Sequence, residues 1–375
     1  MNALDPTSIA WILVRIVIFL ATIIGFVFLF RLPKFRPYWL PALLASIVSL
    51  LFGGIIYGVF HIINHDEYGW TALALCPIAS GFLFTTLLWV FQTRENKEAQ
   101  WTLNRLAIEG ITLPLFLSLA QGLFLLIAFL EGTICIIMAL PFFMLFTVVG
   151  SLLAVTILWL RDWSQRQMLS CSLAIFMLTF IAQPIENQLL RKTEYFSETS
   201  TIEIQADPQT VFRYIPSYPQ IPENESHPRW DELWFKLGVP APQVSTVSCL
   251  GVNCERQCKF NQNINLHEKI TIYEPGKRLR FLVTSIVGHQ NIITGVDPHL
   301  LPGGVYFDNQ QGEFRLTEIR PGVTRVEGTT WYKLSSSLNW YGRPYTDALL
   351  EAIHMRVLEQ IKRVAEEDYD KHHPA

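Results

Sequence analysis

The sequence predicts an all-α bundle of membrane helices followed by an α+β domain, in which a long C-terminal helix covers a curved antiparallel sheet. Half of the 375 residues are hydrophobic, and nearly all of the apolar excess lies before residue 183. After that point, alternating apolar and polar residues are separated by turns, and one long helical pattern ends the chain. We therefore expect a membrane domain at 1–183, a linker at 184–199, a second domain at 200–369 and a tail at 370–375.

Six apolar runs in the first half approach or exceed the length of about 20 residues that crosses a bilayer. No polar face recurs along them, which argues against buried helices of a soluble protein. The first run is too long, and lacks a small-residue cleavage site, to be a removable signal peptide. The predicted spans are Ile9–Phe30, Leu40–Ile63, Trp70–Phe91, Ile111–Leu130, Ile134–Leu160 and Met168–Ile181.

Lys and Arg are distributed unevenly among the connecting segments. They follow spans one, three and five, whereas the short segments after spans two and four contain none. Because positive residues favour the cytoplasmic side, both termini and the second domain are expected outside the cytoplasm, on a multi-pass plasma- or inner-membrane protein. Arg15 inside the first span, and Arg191 with Lys192 after the last, run against this pattern.

The bundle itself is predicted to be an anchor or scaffold. Transporters and channels carry ionisable groups at membrane depth, and Arg15 is the only clear one that the pattern places there. The small residues Gly150, Ser151 and Ala154 predict a close helix contact.

The second domain opens with a strand that turns into a short helix. Ile202 and Ile204 alternate with polar residues, and Asp207 with Pro208 is typical of a helix start. A second short helix is expected at Arg229–Leu237.

Strands with explicit turns follow, up to residue 334, and a final helix is expected at Tyr345–Glu367, after Pro344. The stretch Val287–Pro302 lacks periodicity and is expected to be a loop. The predicted strands are Val252–Phe260, Ile264–Tyr273, Arg278–Ile286, Gly303–Phe307, Gly312–Ile319 and Val323–Leu334.

This order resembles the SRPBCC superfamily (START-like, helix-grip domains that include polyketide cyclases/dehydrases and lipid transport proteins). Four stretches carry the resemblance: the A-D-P turn, GVNCER at Gly251–Arg256, the strand HEKITIYEPGKRLRF and the C-terminal helical stretch IHMRVLEQIKRVAEE. It implies a helix-grip fold with an apolar ligand between the sheet and the C-terminal helix. It implies no particular reaction, because one fold carries many functions.

Strand alternation places two charged side chains on the covered face of the sheet. Glu268 shares a face with Leu266 and Ile270, and Arg256 shares one with Cys258 on the preceding strand. Buried charges are costly unless they are paired. Two interpretations stay open: a structural ion pair, or a polar anchor for the head of an apolar ligand.

His354 lies near the apolar face of the final helix, where it is a ligand-binding residue at the end of the pocket, an acid–base group or a structural residue. No Ser-His-Asp, HExxH, Walker or GxGxxG pattern has supporting context, so no catalytic residue and no cofactor are assigned. The apolar face that we expect to line the ligand consists of Leu350, Ile353, Val357 and Ile361.

The net charge of −3 gives no reason to expect a nucleic-acid partner. No CxxC pair is present, so no metal site is expected. Cys249 and Cys254 form a disulfide in an oxidising compartment or remain free thiols.

The expected partners are therefore the bilayer and a hydrophobic small molecule (a lipid, isoprenoid or polyketide-like compound) held by a membrane-anchored binding protein. Two alternatives stay open. One is a cyclase- or dehydratase-like enzyme that uses Glu268 and His354 as acid–base groups, and the other is a membrane bundle regulated by its ligand-binding domain.

Overall fold

The computed structural model describes residues 38–63, 69–93, 106–127, 132–160, 163–222, 231–261, 264–287, 304 and 306–372, together with 17, 28 and 31. The chain forms two compact units, one of residues Met1–Arg191 with Ser336–Leu338 and the other of Lys192–Ser335 with Asn339–Ala375. The first predicted span, Ile9–Phe30, and the loop after Val287 lie outside the described residues, apart from the isolated positions.

The described part of the first unit is helical. Four of its helices are long and apolar enough to cross a membrane, and a shorter apolar stretch precedes them. The second and third helices each begin with a π-helical segment. The helices are α1 (Trp39–Ile63), α2 (Thr71–Leu75, then Cys76–Thr93), α3 (Leu106–Thr112, then Leu113–Ile127), α4 (Thr133–Leu160) and α5 (Gln165–Leu189).

Helix α5 is longer than the predicted span Met168–Ile181. Ser164 caps its first turn through a reciprocal pair of hydrogen bonds with Gln167, and the helix continues to Leu189. The polar residues of its last turns interrupt the apolar run, so the apolar pattern alone predicts an end at Ile181.

Two carboxyl residues lie within the candidate spans, which corrects the expectation that Arg15 is the only clear ionisable group there. Glu109 and Glu186 are both buried. The Glu186 carboxylate accepts the backbone N–H groups of Trp70 (2.5 Å) and Thr71 (2.7 Å), and so caps the start of α2. The predicted span boundaries had excluded both residues.

Helices α2 and α4 cross in direct backbone contact, as the small residues predict. A Cβ added at Gly81 would lie 2.0 Å from the Thr147 carbonyl oxygen, and one at Gly150 would lie 2.0 Å from that of Ile78. Next to the crossing, the hydroxyls of Thr85 and Ser151 are 2.5 Å apart. The predicted close contact is confirmed.

The second unit has the helix-grip architecture. Its seven strands form one curved antiparallel sheet in the order β1-β7-β6-β5-β4-β3-β2. Helix α8 packs its apolar face on the sheet, in a core shared with Ile270, Leu279 and Phe281. The elements are β1 (Lys192–Ile204), α6 (Pro208–Arg213), α7 (Asp231–Lys236), β2 (Pro242–Val247), β3 (Glu255–Phe260), β4 (Asn265–Glu274), β5 (Arg278–Val287), β6 (Phe307–Arg320), β7 (Val323–Ser336) and α8 (Asn339–His372).

The segment expected to be a linker at 184–199 is regular structure. It holds the end of α5 and the first half of β1, which starts at Lys192 rather than at Ser200. Most side chains of this half strand are exposed, so its composition is polar although its backbone is paired. Phe196 is its apolar contact, with a ring centroid 5.7 Å from that of Tyr332.

Three further boundaries differ from prediction. The sequence pattern does not predict strand β2, and β3 starts at Glu255 because a turn occupies the preceding residues. Strand β6 begins at Phe307, the last residue of the predicted strand Gly303–Phe307, and contains the whole of the predicted strand Gly312–Ile319. Helix α8 runs from Asn339 to His372, so it begins before Tyr345, contains Pro344 and extends past Glu367 into the segment expected to be a tail. Pro344 lies in the second turn, where it removes one backbone hydrogen bond, and the helix continues through it.

The predicted helix start at Asp207 and Pro208 is confirmed. The Asp207 carboxylate accepts the backbone N–H groups of Gln209 and Thr210, and Pro208 begins α6. Gly276 and Gly322 have φ values of 74° and 71°, a conformation that glycine adopts without a steric penalty.

Candidate functional site

Arg256 and Glu268 lie opposite each other on neighbouring strands. They are direct partners in the β3–β4 register, and their side chains are 2% and 4% exposed. Arg256 Nη1 donates a hydrogen bond to Glu268 Oε2. The prediction that both side chains point inward is confirmed, and in the structure they form an ion pair.

The guanidinium of Arg256 is enclosed by backbone and aromatic rings. Its Nε donates to the carbonyl oxygen of Pro216 at 3.0 Å. Its central carbon lies 5.0 Å from the ring centroid of Phe281, and 5.9 Å from those of Phe314 and Tyr218. Cations are attracted to aromatic faces, and more strongly where water is excluded.

Two more titratable groups adjoin the pair. Cys258 Sγ lies 3.7 Å from Glu268 Oε2. Burial raises the pKa of the Cys258 thiol to about 12 and that of the Tyr218 hydroxyl well above its ordinary value. Burial also raises the pKa of the Glu268 carboxyl, while the Arg256 guanidinium acts in the opposite direction. Cys258 is therefore a thiol near neutral pH and is a poor nucleophile.

The predicted lining residues of α8 fall into two groups. Val357 and Ile361 belong to the core cluster that also contains Tyr218 and Phe281. Leu350 lies in a second cluster with Tyr332, Phe307 and Leu334. Ile353 is partly buried.

His354 is held by two hydroxyl groups on β1 and β7. Its Nδ1 lies 3.1 Å from Ser200 Oγ, and its Nε2 lies 2.7 Å from Thr330 Oγ1. Burial lowers the pKa of the imidazole to about 4. The ring is therefore neutral at physiological pH, with one nitrogen donating and the other accepting.

His354 and Glu268 do not form one acid–base pair. The histidine bonds to β1 and β7, whereas Glu268 lies on β4, three strand positions from β7. At about 4.8 Å per strand, that separation is about 14 Å along the sheet. The structure brings Arg256, Glu268, Val357 and Ile361 into one interior and leaves His354 at its β1–β7 side.

Sequence reasoning missed Tyr218 and Pro216, which complete the enclosure of Arg256. Both lie in the irregular segment after α6, where no periodicity signals a buried position. Tyr218 is 2% exposed. The signal that was available is the aromatic residue itself, since a tyrosine ring buries a large apolar surface.

Cys249 and Cys254 are joined by a disulfide. It closes the turn between β2 and β3, where Asn253 has a φ of 68°. Of the two alternatives for these cysteines, the disulfide is confirmed. Within the part of the chain that the structure describes, no three His, Cys, Asp or Glu side chains are grouped to hold a metal ion.

The chain was compared with known proteins. No family model matches it, and no curated protein does. Solved structures similar to it include protein XoxI of Bacillus cereus, with 11% identity over 45% of this chain and 94% of the other and a TM-score of 0.29. A norcoclaurine synthase variant of Thalictrum flavum has 13% identity over 47% of this chain and 98% of the other, with a TM-score of 0.30. The Aha1 dimer of Colwellia psychrerythraea has 16% identity over 46% and 96%, with a TM-score of 0.26.

Proposed function

We propose that this chain is a membrane-anchored binding protein for a hydrophobic small molecule, held between the sheet and helix α8. The observation that carries the proposal is the ion pair of Arg256 and Glu268 on the inner face of the sheet. A buried ion pair is often no more stabilising than apolar residues of the same volume. Its position on the inner face of the sheet, beside the apolar core under α8, fits a polar contact for a ligand.

The competing proposal, a cyclase-like enzyme, requires acid–base groups placed against one substrate. Its two candidates, Glu268 and His354, lie on different parts of the sheet, and the thiol of Cys258 is protonated. This arrangement favours binding over catalysis.

The ligand proposal is tested by purifying the full-length protein from membranes and identifying bound molecules by native mass spectrometry. A Val357→Trp variant that remains folded is the matched control, because it adds bulk to the core cluster under α8 and leaves every candidate span unchanged. We expect a hydrophobic molecule at one per chain in the wild type and its loss in the variant. Equal amounts of the same lipids in both samples would contradict the proposal, because lipid held only by the bundle is common to both.

We also propose that the second unit lies outside the cytoplasm. The Cys249–Cys254 disulfide supports this side, because disulfides persist in oxidising compartments. A reporter enzyme active only outside the cytoplasm should work when fused after Ala375 and fail in the loop at Gln100. Alkylation without reductant should modify Cys258 and leave Cys249 and Cys254 unmodified in the unfolded chain. The opposite fusion pattern would reverse the orientation.

A further inference from the structure

The contact between Arg256 and Glu268 carries no net charge. The two side chains are direct cross-strand partners and neutralise each other. The other titratable groups that act on the pair are Tyr218 and Cys258. Both are uncharged near neutral pH, because burial raises their pKa values. A ligand that reaches this contact therefore meets a polar but neutral surface.

The guanidinium is also committed to the protein. Arg256 donates to Glu268 and to the Pro216 carbonyl oxygen, and the rings of Phe281 and Phe314 lie close to it. A ligand carboxylate would have to displace Glu268, or enter as an extra charge among apolar side chains. An unpaired buried charge is far costlier than a hydrogen-bonded neutral group.

We propose that the site selects hydrophobic molecules whose polar end is an uncharged oxygen group, a hydroxyl or carbonyl, and rejects carboxylates of the same chain length. This inference rests on the proposed binding function and adds the class of ligand. Glu268 is the residue that disfavours carboxylates, because its negative charge cancels the positive charge of Arg256 and repels the ligand's carboxylate. Removing that charge leaves a net positive site.

The test uses full-length protein in phosphatidylcholine nanodiscs and three photoreactive probes. Hexadecanol, hexadecanoic acid and methyl hexadecanoate carry the same mid-chain diazirine, so that chain length and reactive group are matched. After irradiation at pH 7.5, adducts are mapped by mass spectrometry to peptides of residues 192–372. Bilayer partitioning of each probe is measured separately and divided out.

In the wild type, the alcohol and the ester should each give at least about tenfold more adduct than the acid, since an unpaired charge in a dry site is so costly. Glu268→Gln should raise the acid adduct and lower the alcohol-to-acid ratio. Glu313→Gln is the matched control. Glu313 is 4% exposed and pairs with Arg280 at 2.6 Å and Arg315 at 2.9 Å, and alternation from the inward Phe314 places it on the opposite face. It should keep the wild-type ratio.

Acid adducts equal to or exceeding the alcohol adducts in the wild type would overturn the inference and leave the binding function standing. An ester that labels as weakly as the acid would overturn it too, and this result needs no variant to fold. An unchanged ratio in a folded Glu268→Gln protein would remove Glu268 as the selecting group. Absence of adducts from all three probes in residues 192–372 would instead overturn the proposed function.

Discussion

At the scale of single residues, the burial of Arg256 and Glu268 has a direct energetic consequence. Replacing Arg256 with Met leaves the Glu268 carboxylate without its cation inside the domain. We expect the free energy of unfolding to fall by about 3–5 kcal/mol, the usual cost of breaking a buried pair. Urea unfolding of the full-length protein in detergent measures this.

The double variant Arg256→Met with Glu268→Leu should recover much of the loss, because no charge is left buried. Arg325→Met is the control for removing an arginine. Arg325 pairs with Glu203 at the surface, where both side chains are nearly half exposed, and such pairs contribute about 0–1 kcal/mol. Equal effects of Arg256→Met and Arg325→Met would contradict the burial argument.

His354 makes the stability of the second unit depend on pH. Its pKa is lowered from 6.5 to about 4 in the folded state, so between these values the unfolded chain binds more protons. Stability contributed by the neutral imidazole is therefore complete above pH 6.5 and decreases as the pH falls towards 4. In His354→Gln, the free energy of unfolding should change less with pH across this range, as urea titrations at several pH values would show. If it changes with pH as much as in the wild type, other groups cause the pH dependence.

Alternation was sufficient to predict that Arg256 and Glu268 point inward, because a period of two fixes the face of each strand residue. It did not place His354 relative to them. That position depends on which strands α8 crosses, and no local pattern encodes the crossing. Tyr218 and Pro216 were missed because irregular segments have no period.

At the scale of elements, the crossing of α2 and α4 depends on the two glycines. A methyl group at Gly81 would lie 2.0 Å from the Thr147 carbonyl oxygen, so Gly81→Ala must push the helices apart. We expect a loss of about 1–3 kcal/mol, in the range of other overpacked sites. The melting temperature of the detergent-solubilised protein, measured by size-exclusion chromatography of heated samples, should be lower in this variant than in the wild type.

Gly53→Ala is the matched control in helix α1. The nearest atom to its added methyl group is 4.0 Å away, on the Gln121 side chain. This variant should therefore have the same melting temperature as the wild type. If the two alanine variants behave alike, the backbone contact does not hold the helices together.

Small residues predicted this crossing because close helix approach requires them. Helix ends were harder to predict. Helix α5 continues through Gln183 and Glu186, which are both buried, and Glu186 bonds to the start of α2. Strand β1 begins in a polar segment whose backbone pairs with β7. Composition indicates only which side chains are polar, whereas the ends of α5 and β1 depend on where the backbone hydrogen bonds stop.

At the scale of the whole molecule, the structure changes where an independent domain should begin. A fragment of residues 192–375 keeps all of β1, including Phe196 against Tyr332 and the Thr193–Ser335 hydroxyl contact of 2.9 Å. We expect it to be soluble and to unfold cooperatively. A fragment starting at Ser200 loses these contacts and should be less stable, as urea titrations of both would show. Equal stability would mean that residues 192–199 contribute little.

The central claim is that the second unit binds a hydrophobic molecule in the interior that contains Arg256 and Glu268. The most direct measurement is native mass spectrometry of fragment 192–375 incubated with fatty alcohols, isoprenoids and aromatic polyketides. We predict retention of one molecule per chain for at least one class, and its loss in Val357→Trp. A folded wild-type fragment that retains none of them, or a Val357→Trp fragment that retains as much, would contradict the account.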